Sequence, residues 1–204
     1  MVQGTPVSDG IARELSRGAF TGCRIEQRSA SLVVVRRLVA DADVLGRQGW
    51  IRVAERFDAM ASRQHRLAES HDCVLPVLNR HKDEFSTAYQ PASGTTLRRL
   101  CPRPQAGLLR AVVVASLDAL GELHGRGQAH GNIKAGNILV SRLSLSGCLV
   151  RLTDPSAIDD LDVGDDLRAL GRYIQAWVTG VDQAEGSVTA EETWSCLEEA
   201  APVW

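Results

Sequence analysis

"QAHGNIKAGNILV", Gln128–Val140, is the stretch on which the reading of this chain turns. It sets His130, Asn132, Lys134 and Asn137 at close, fixed intervals just ahead of a short apolar run. The residue types raise a question about Asn132. A neutral amide donates and accepts hydrogen bonds, but it cannot serve as a carboxylate base at neutral pH.

Upstream, Leu109, Val113, Ser116, Leu120 and Leu123 recur at helical spacing, and Gly125 with Gly127 supplies a stop, which predicts a long core helix ending just before the loop. Downstream, "NILV" and "CLVRL" flank "SRLSLSG", which predicts a β-hairpin with Gly147 in its turn. The stretch "LTDPSA" follows. A second amphipathic helix is expected from Asp166, with Leu167, Leu170, Ile174 and Val178 on one face and Gly180 at its end. Thr189 and Glu192 form a T-x-x-E capping box for a last short helix to about Ala200.

The first half is less regular. "SLVVVRRL" (31–38) carries three consecutive valines, a β-branched run suited to a buried strand. From Trp50 to about Leu67 the positions Ile51, Ala54, Phe57, Met60 and Ala61 recur at three and four, which predicts an amphipathic helix. "CVLPVL" and "EFSTAY" read as two further strands, and "QPASGTT" as a connector near the boundary between two lobes.

Composition narrows the function classes. A chain of 204 residues, 44% of them apolar and with formal net charge −2, can bury a core and carries no basic excess for nucleic acid or an anionic membrane. No apolar run reaches the roughly 18 residues needed to span a bilayer, so no membrane insertion is expected. The opening "MVQGTPVSDG" lacks a secretory signal pattern. The five cysteines, Cys23, Cys73, Cys101, Cys148 and Cys196, are scattered without a C-x-x-C pair. They are read as reduced, structural thiols of a cytoplasmic protein.

In combination, the helix, "HGNIKAGNILV", the hairpin and "LTDPSA" resemble the catalytic core of the eukaryotic-type protein kinases over about residues 15 to 180. That family carries H-R-D-L-x-x-x-N followed by D-F-G. His130, Asn132, Lys134 and Asn137 match the loop in register, Asp154 falls in the slot of the D-F-G aspartate, and Asp166, Leu170 and Gly171 match the start of the following helix. Taken singly, Asp154 also suits a turn at a hairpin end, Asp166 a helix N-cap, His130 a satisfied core histidine, and Lys134 a solvated loop lysine. Arg36 and Arg37 likewise suit an exposed strand end.

The resemblance implies an α+β, protein kinase-like bilobal fold spanning 1–204 as a single domain, with a β-rich N-lobe (1–90) and a reduced, mainly helical C-lobe (91–204). It implies nucleotide contacts at Arg36, Ala88, Gln90, Lys134, Asn137 and Asp154, and metal contacts at Asn137 and Asp154 should magnesium bind. The departures argue against catalysis. Asn132 occupies the catalytic aspartate slot, Gly131 replaces the arginine, and D-F-G reads Asp154-Pro155-Ser156. Arg36 stands in the lysine slot of the third strand, and "RGAFTG" (17–22) does not fit a glycine-rich loop. The helix that should bring a glutamate offers Ser62 or Arg63 at the expected depth, with Glu55 a register shift away.

Only Pro155 to Asp165 separate Asp154 from Asp166, too few residues for a peptide-docking activation segment. The expectation is a pseudokinase that requires no cofactor and acts through a protein partner or as a homodimer. The alternatives are a minimal ATP- and Mg-dependent kinase, with Lys134 in an active role, or a nucleotide sensor without turnover.

Overall fold

The computed structural model describes residues 13–17, 20–28, 31–39, 42–81, 85–89, 94–100 and 106–179. They divide into two compact units. One holds the described residues up to Ser62 and from Pro76 to Tyr89; the other holds Arg63–Leu75 and the residues from Gly94 onward. Gln90, Cys101, Cys196 and the short helix expected after Thr189 lie outside the described residues.

The first unit is built on an antiparallel five-stranded sheet. In chain order its strands are β1 (Arg13–Arg17), β2 (Thr21–Arg28), β3 (Ser31–Leu38), β4 (Val77–His81) and β5 (Ser86–Tyr89), arranged β1-β2-β3-β5-β4. The valine run forms β3 as expected, between β2 and β5. Because side chains alternate along a strand, pairing Val35 with Ala88 and Arg36 with Thr87 sorts them onto opposite faces. Val33, Val35 and Ala88 accordingly form a buried apolar cluster. The expected strand "CVLPVL" begins only at Val77. Val74 makes an isolated bridge to Leu152 instead, and Pro76, with no N–H to donate, separates the two pairings.

Helix α1 (Ala42–Ala68) is longer than the periodicity from Trp50 suggested. Its extra residues lie around Gly46, whose φ of 66° and ψ of 162° interrupt the helical backbone. Ala54, Phe57, Ala61, Gln64 and Leu67 are the buried stripe. The apolar pattern therefore continues through a polar residue, Gln64.

The second unit packs helix α2 (Ala106–His124), helix α3 (Val163–Thr179) and a three-stranded sheet around one core. The core includes Leu67, Val74, Leu120, Leu123, Ile138, Val140, Leu152, Leu170 and Trp177. The sheet order is β6-β7-β8, with β6 (Thr95–Thr96), β7 (Ile138–Ser144) and β8 (Gly147–Leu152). Part of the stretch read as a connector is thus a strand. Gly94, at φ 140°, permits it, since a Cβ there would collide with the Val140 carbonyl. The hairpin turn sits at Leu145 and Ser146, and Gly147 opens β8 rather than lying in the turn.

α3 starts three residues before Asp166. Asp162 caps it, its Oδ1 accepting the Gly164 N–H at 2.8 Å, so Asp166 lies inside the first turn. The expected apolar face is also displaced. Leu167 and Val178 are 46% and 64% exposed, while Asp166, Leu170, Ala176 and Trp177 are buried. A buried carboxylate takes the place that periodicity reserved for an apolar residue.

No helix among the described residues is long and apolar enough to cross a membrane. Cys23, Cys73 and Cys148 are free thiols. Burial and the neighbouring Glu122 push the Cys73 thiol up to about 12, which keeps it protonated and unreactive.

Candidate functional site

α2 ends at His124, and the chain passes through Gly127, at φ 70°, into the loop 128–134 and a 3₁₀ turn at Ala135–Asn137 that feeds β7. The loop is held from below by Asp166. Its Oδ2 accepts the His130 N–H at 2.6 Å and His124 Nε2 at 3.0 Å, and its Oδ1 accepts the Gly131 N–H at 2.7 Å. A carboxylate that is 1% exposed needs such donors, because an unpaired buried charge costs several kcal/mol.

His130 is fully buried with both ring nitrogens used. Nε2 lies 3.1 Å from the Thr153 carbonyl and Nδ1 accepts the Asn132 N–H at 3.3 Å, which fixes the neutral Nε2–H tautomer. Burial lowers its pKa from 6.5 to about 4; Arg63 and Lys134 push the same way, against Asp166 and the Thr153 carbonyl. His130 is an architectural residue that carries no charge at neutral pH.

Asn132, Asn137 and Asp154 are linked through backbone carbonyls. Asn137 Nδ2 donates to the Asn132 carbonyl at 2.9 Å, and Asn132 Nδ2 donates to the Asp154 carbonyl at 2.7 Å. Only the NH₂ side of an amide can face a carbonyl oxygen in this way, so the Asn132 side chain is oriented as a donor. Asp154 adopts φ 57°, a left-handed conformation unusual for a residue with a Cβ. Its N–H is bound by Gln64 Oε1 at 2.9 Å. The Asp154 peptide groups are therefore gripped on both sides by neutral amides.

Gly131, at φ 72°, has no room for a side chain. A Cβ there would run into Leu161 Cδ1 and come within 2.9 Å of Ser156 Cβ. The short segment after Asp154 thus covers the position that the resemblance assigns to arginine. Lys134 is exposed and extended at the entrance to the 3₁₀ turn.

Arg36 and Ala88 belong to the first unit. Arg36 donates from Nη2 to Thr21 Oγ1 at 3.2 Å and stands over the Phe57 ring, 5.9 Å from its centroid. Ala88 is buried on the opposite face of the sheet from Arg36, so their side chains do not converge. Of the residues weighed as partners of the strand cation, Ser62 bonds back to Asp58 of its own helix and Glu55 is exposed. Arg63 turns to the loop of the second unit.

Among the described residues no group of three or more His, Cys, Asp and Glu side chains could hold a metal. Asn137 and Asp154 together offer one amide oxygen and one carboxylate. That donor set fits magnesium, which keeps several water or phosphate ligands and takes few from protein.

Sequence reasoning did not find Gln64, whose only signal was a glutamine within an apolar helical stripe. It met Arg63 only as a residue standing near the depth where the resemblance expects a glutamate.

No protein-family model matches the chain, and no curated protein does either. Solved structures do. A crystal structure of the M. tuberculosis PknI kinase domain aligns over 91% of this chain and 78% of its own, at 17% identity and a TM-score of 0.59. A second crystal structure of the Mycobacterium tuberculosis PknI kinase domain aligns over 90% and 79%, again at 17% identity and a TM-score of 0.59. With its β-rich N-terminal sheet and mainly helical C-terminal region, the chain has a protein-kinase-like fold.

Proposed function

We propose that this chain is a pseudokinase, a kinase-folded regulatory module that recognises a protein partner and transfers no phosphate. The observation that carries this reading is the Asn132 amide, engaged as a donor on the Asp154 carbonyl. A group that is neutral and committed as a donor cannot take the proton of an acceptor hydroxyl. Between Asp154 and α3 the chain has only Pro155–Asp162, with Ser156 and Leu161 beside Gly131, which leaves no length for a peptide-docking platform.

A nucleotide sensor is the second reading, and the left-handed Asp154 favours it. Backbone strain of this kind persists where surrounding contacts over-determine it, often at ligand sites. Asn137 and Asp154 would hold magnesium and Lys134 would face the phosphates. The metal, when bound, neutralises phosphate charge; the chain's own part is to orient the oxygens.

A thermal-shift titration with ATP, with and without magnesium, on wild type and Asp154→Ala separates the two. A magnesium-dependent rise in Tm that Asp154→Ala abolishes establishes the sensor; no shift at millimolar ATP leaves the partner-binding scaffold. Phosphate transfer to any acceptor at catalytic turnover by the wild type would overturn the pseudokinase reading.

A further inference from the structure

The C-terminal turns of α1 carry two adjacent polar residues, Arg63 and Gln64, that are 2% and 1% exposed. Side chains buried so fully must find partners, and both find them in the turn around Asp154 and the loop before Asn132. Arg63 Nη2 donates to the Ala129 carbonyl at 2.6 Å, and Nη1 to the carbonyls of His130 at 3.0 Å and Ser156 at 3.1 Å. Its Nε pairs with Asp159 at 2.7 Å. Gln64 donates from Nε2 to the Leu75 carbonyl at 2.8 Å and accepts the Asp154 N–H at 2.9 Å.

We propose that Arg63 and Gln64 are positioning residues that hold Asp154 in its left-handed conformation and lock the segment after it onto the 129–131 loop. Two features make the pairing specific. The guanidinium is a planar fork with five donors, and it spans carbonyls from two separate stretches of chain that a single ammonium could not bridge at once. The His130 carbonyl also accepts the Ser156 N–H at 2.9 Å, so loop and segment meet at one oxygen, and Arg63 secures both sides of that contact. Asp159 also pairs with Arg66 at 3.0 Å.

The functional consequence rests on the reading of Asp154 as a nucleotide residue; the positioning does not. Hydrogen exchange resolved to single amides tests the positioning directly. In Gln64→Met the Asp154 N–H is expected to exchange at least tenfold faster than in wild type, while α2 and α3 keep their protection. Gln64→Glu, which retains an acceptor oxygen, is expected to keep that amide slow. In Arg63→Lys the Ser156 N–H is expected to exchange at least tenfold faster, again without change in α2 and α3.

Wild-type rates at both amides would overturn the proposal, as would an equal acceleration across α2 and α3, which would mean a role in global stability alone. Should Arg63→Lys fail to fold, the two Gln64 variants decide. Nucleotide titration then separates the two levels. Slow wild-type exchange at Asp154 without ATP binding would sink the sensor and leave the positioning standing. ATP binding by wild type that Gln64→Met leaves unchanged would remove Gln64 as a positioning residue for the site.

Discussion

Asp166, matched to the start of a family helix, and Arg36, matched to the lysine slot of the third strand, are both charged motif positions, and the fold treats them very differently. Asp166 sits beneath the loop of the second unit, buried, and accepts two backbone N–H groups and an imidazole. Arg36 stands on β3 of the first unit, partly exposed, with a hydroxyl and an aromatic ring as neighbours. The contrast is between a buried group on which backbone donors depend and a cation at a partly exposed strand position. Removing Asp166 strands three donors in a dry site, whereas removing Arg36 takes a cation from a partly exposed strand position.

The comparison is broken most forcefully at Asp166. Asp166→Ala is expected to cost about 3–5 kcal/mol in urea denaturation, the range for removing one partner of a buried charged network. A loss below about 1 kcal/mol would show that the loop holds itself and that the carboxylate is dispensable.

Acid acts on the same loop through His130. Its folded pKa, about 4, lies below the ordinary 6.5, so as pH falls from 6.5 the unfolded chain takes up a proton that the fold refuses until about pH 4. Stability is therefore full above pH 6.5 and lost progressively down to about 4, on the order of 3 kcal/mol in all. Tm measured from pH 7.5 to 4.5 should fall in wild type and fall less steeply in His130→Gln. Parallel curves would place the acid sensitivity elsewhere.

Asn132→Asp sharpens the comparison within the loop. It exchanges a donor for a carboxylate opposite the Asp154 carbonyl, so a loss of about 1–3 kcal/mol is expected, with no gain of phosphotransfer. An equally stable variant with ATP turnover would mean that Asn132 is only a vacant catalytic slot. Arg36→Met should have the smallest effect, about 0.5–1 kcal/mol, the scale of a partly exposed cation–π contact. A cost as large as that of Asp166→Ala would erase the distinction.

Much of the second unit was legible because its signals are local. The stripe from Leu109 to Leu123, the glycine stop and the apolar runs of the hairpin each lie within a few turns or residues, and they predicted α2, β7 and β8. The register from His130 to Asn137 and on to Asp154 marked residues that the fold links through backbone carbonyls. β1 and β2 were not legible, since their charged segments become strands only through pairing within the sheet, β1 on β2 and β2 on β3. The face of α3 was misjudged for a related reason. Periodicity scores apolar residues, and here a carboxylate is buried because the backbone amides of a distant loop satisfy it.

Local pattern alone specified the helices, the β3 strand, the hairpin and the presence of an amide where the resembled family has a carboxylate. Tertiary structure decided what that amide does, and that Arg63 and Gln64 of α1 serve the Asp154 turn across about 90 residues of sequence. The physical reason is that a buried polar group is defined by its partner. Hydrogen-bond capacity is written in the residue type, but the partner is chosen only when distant backbone groups arrive in the same dry place.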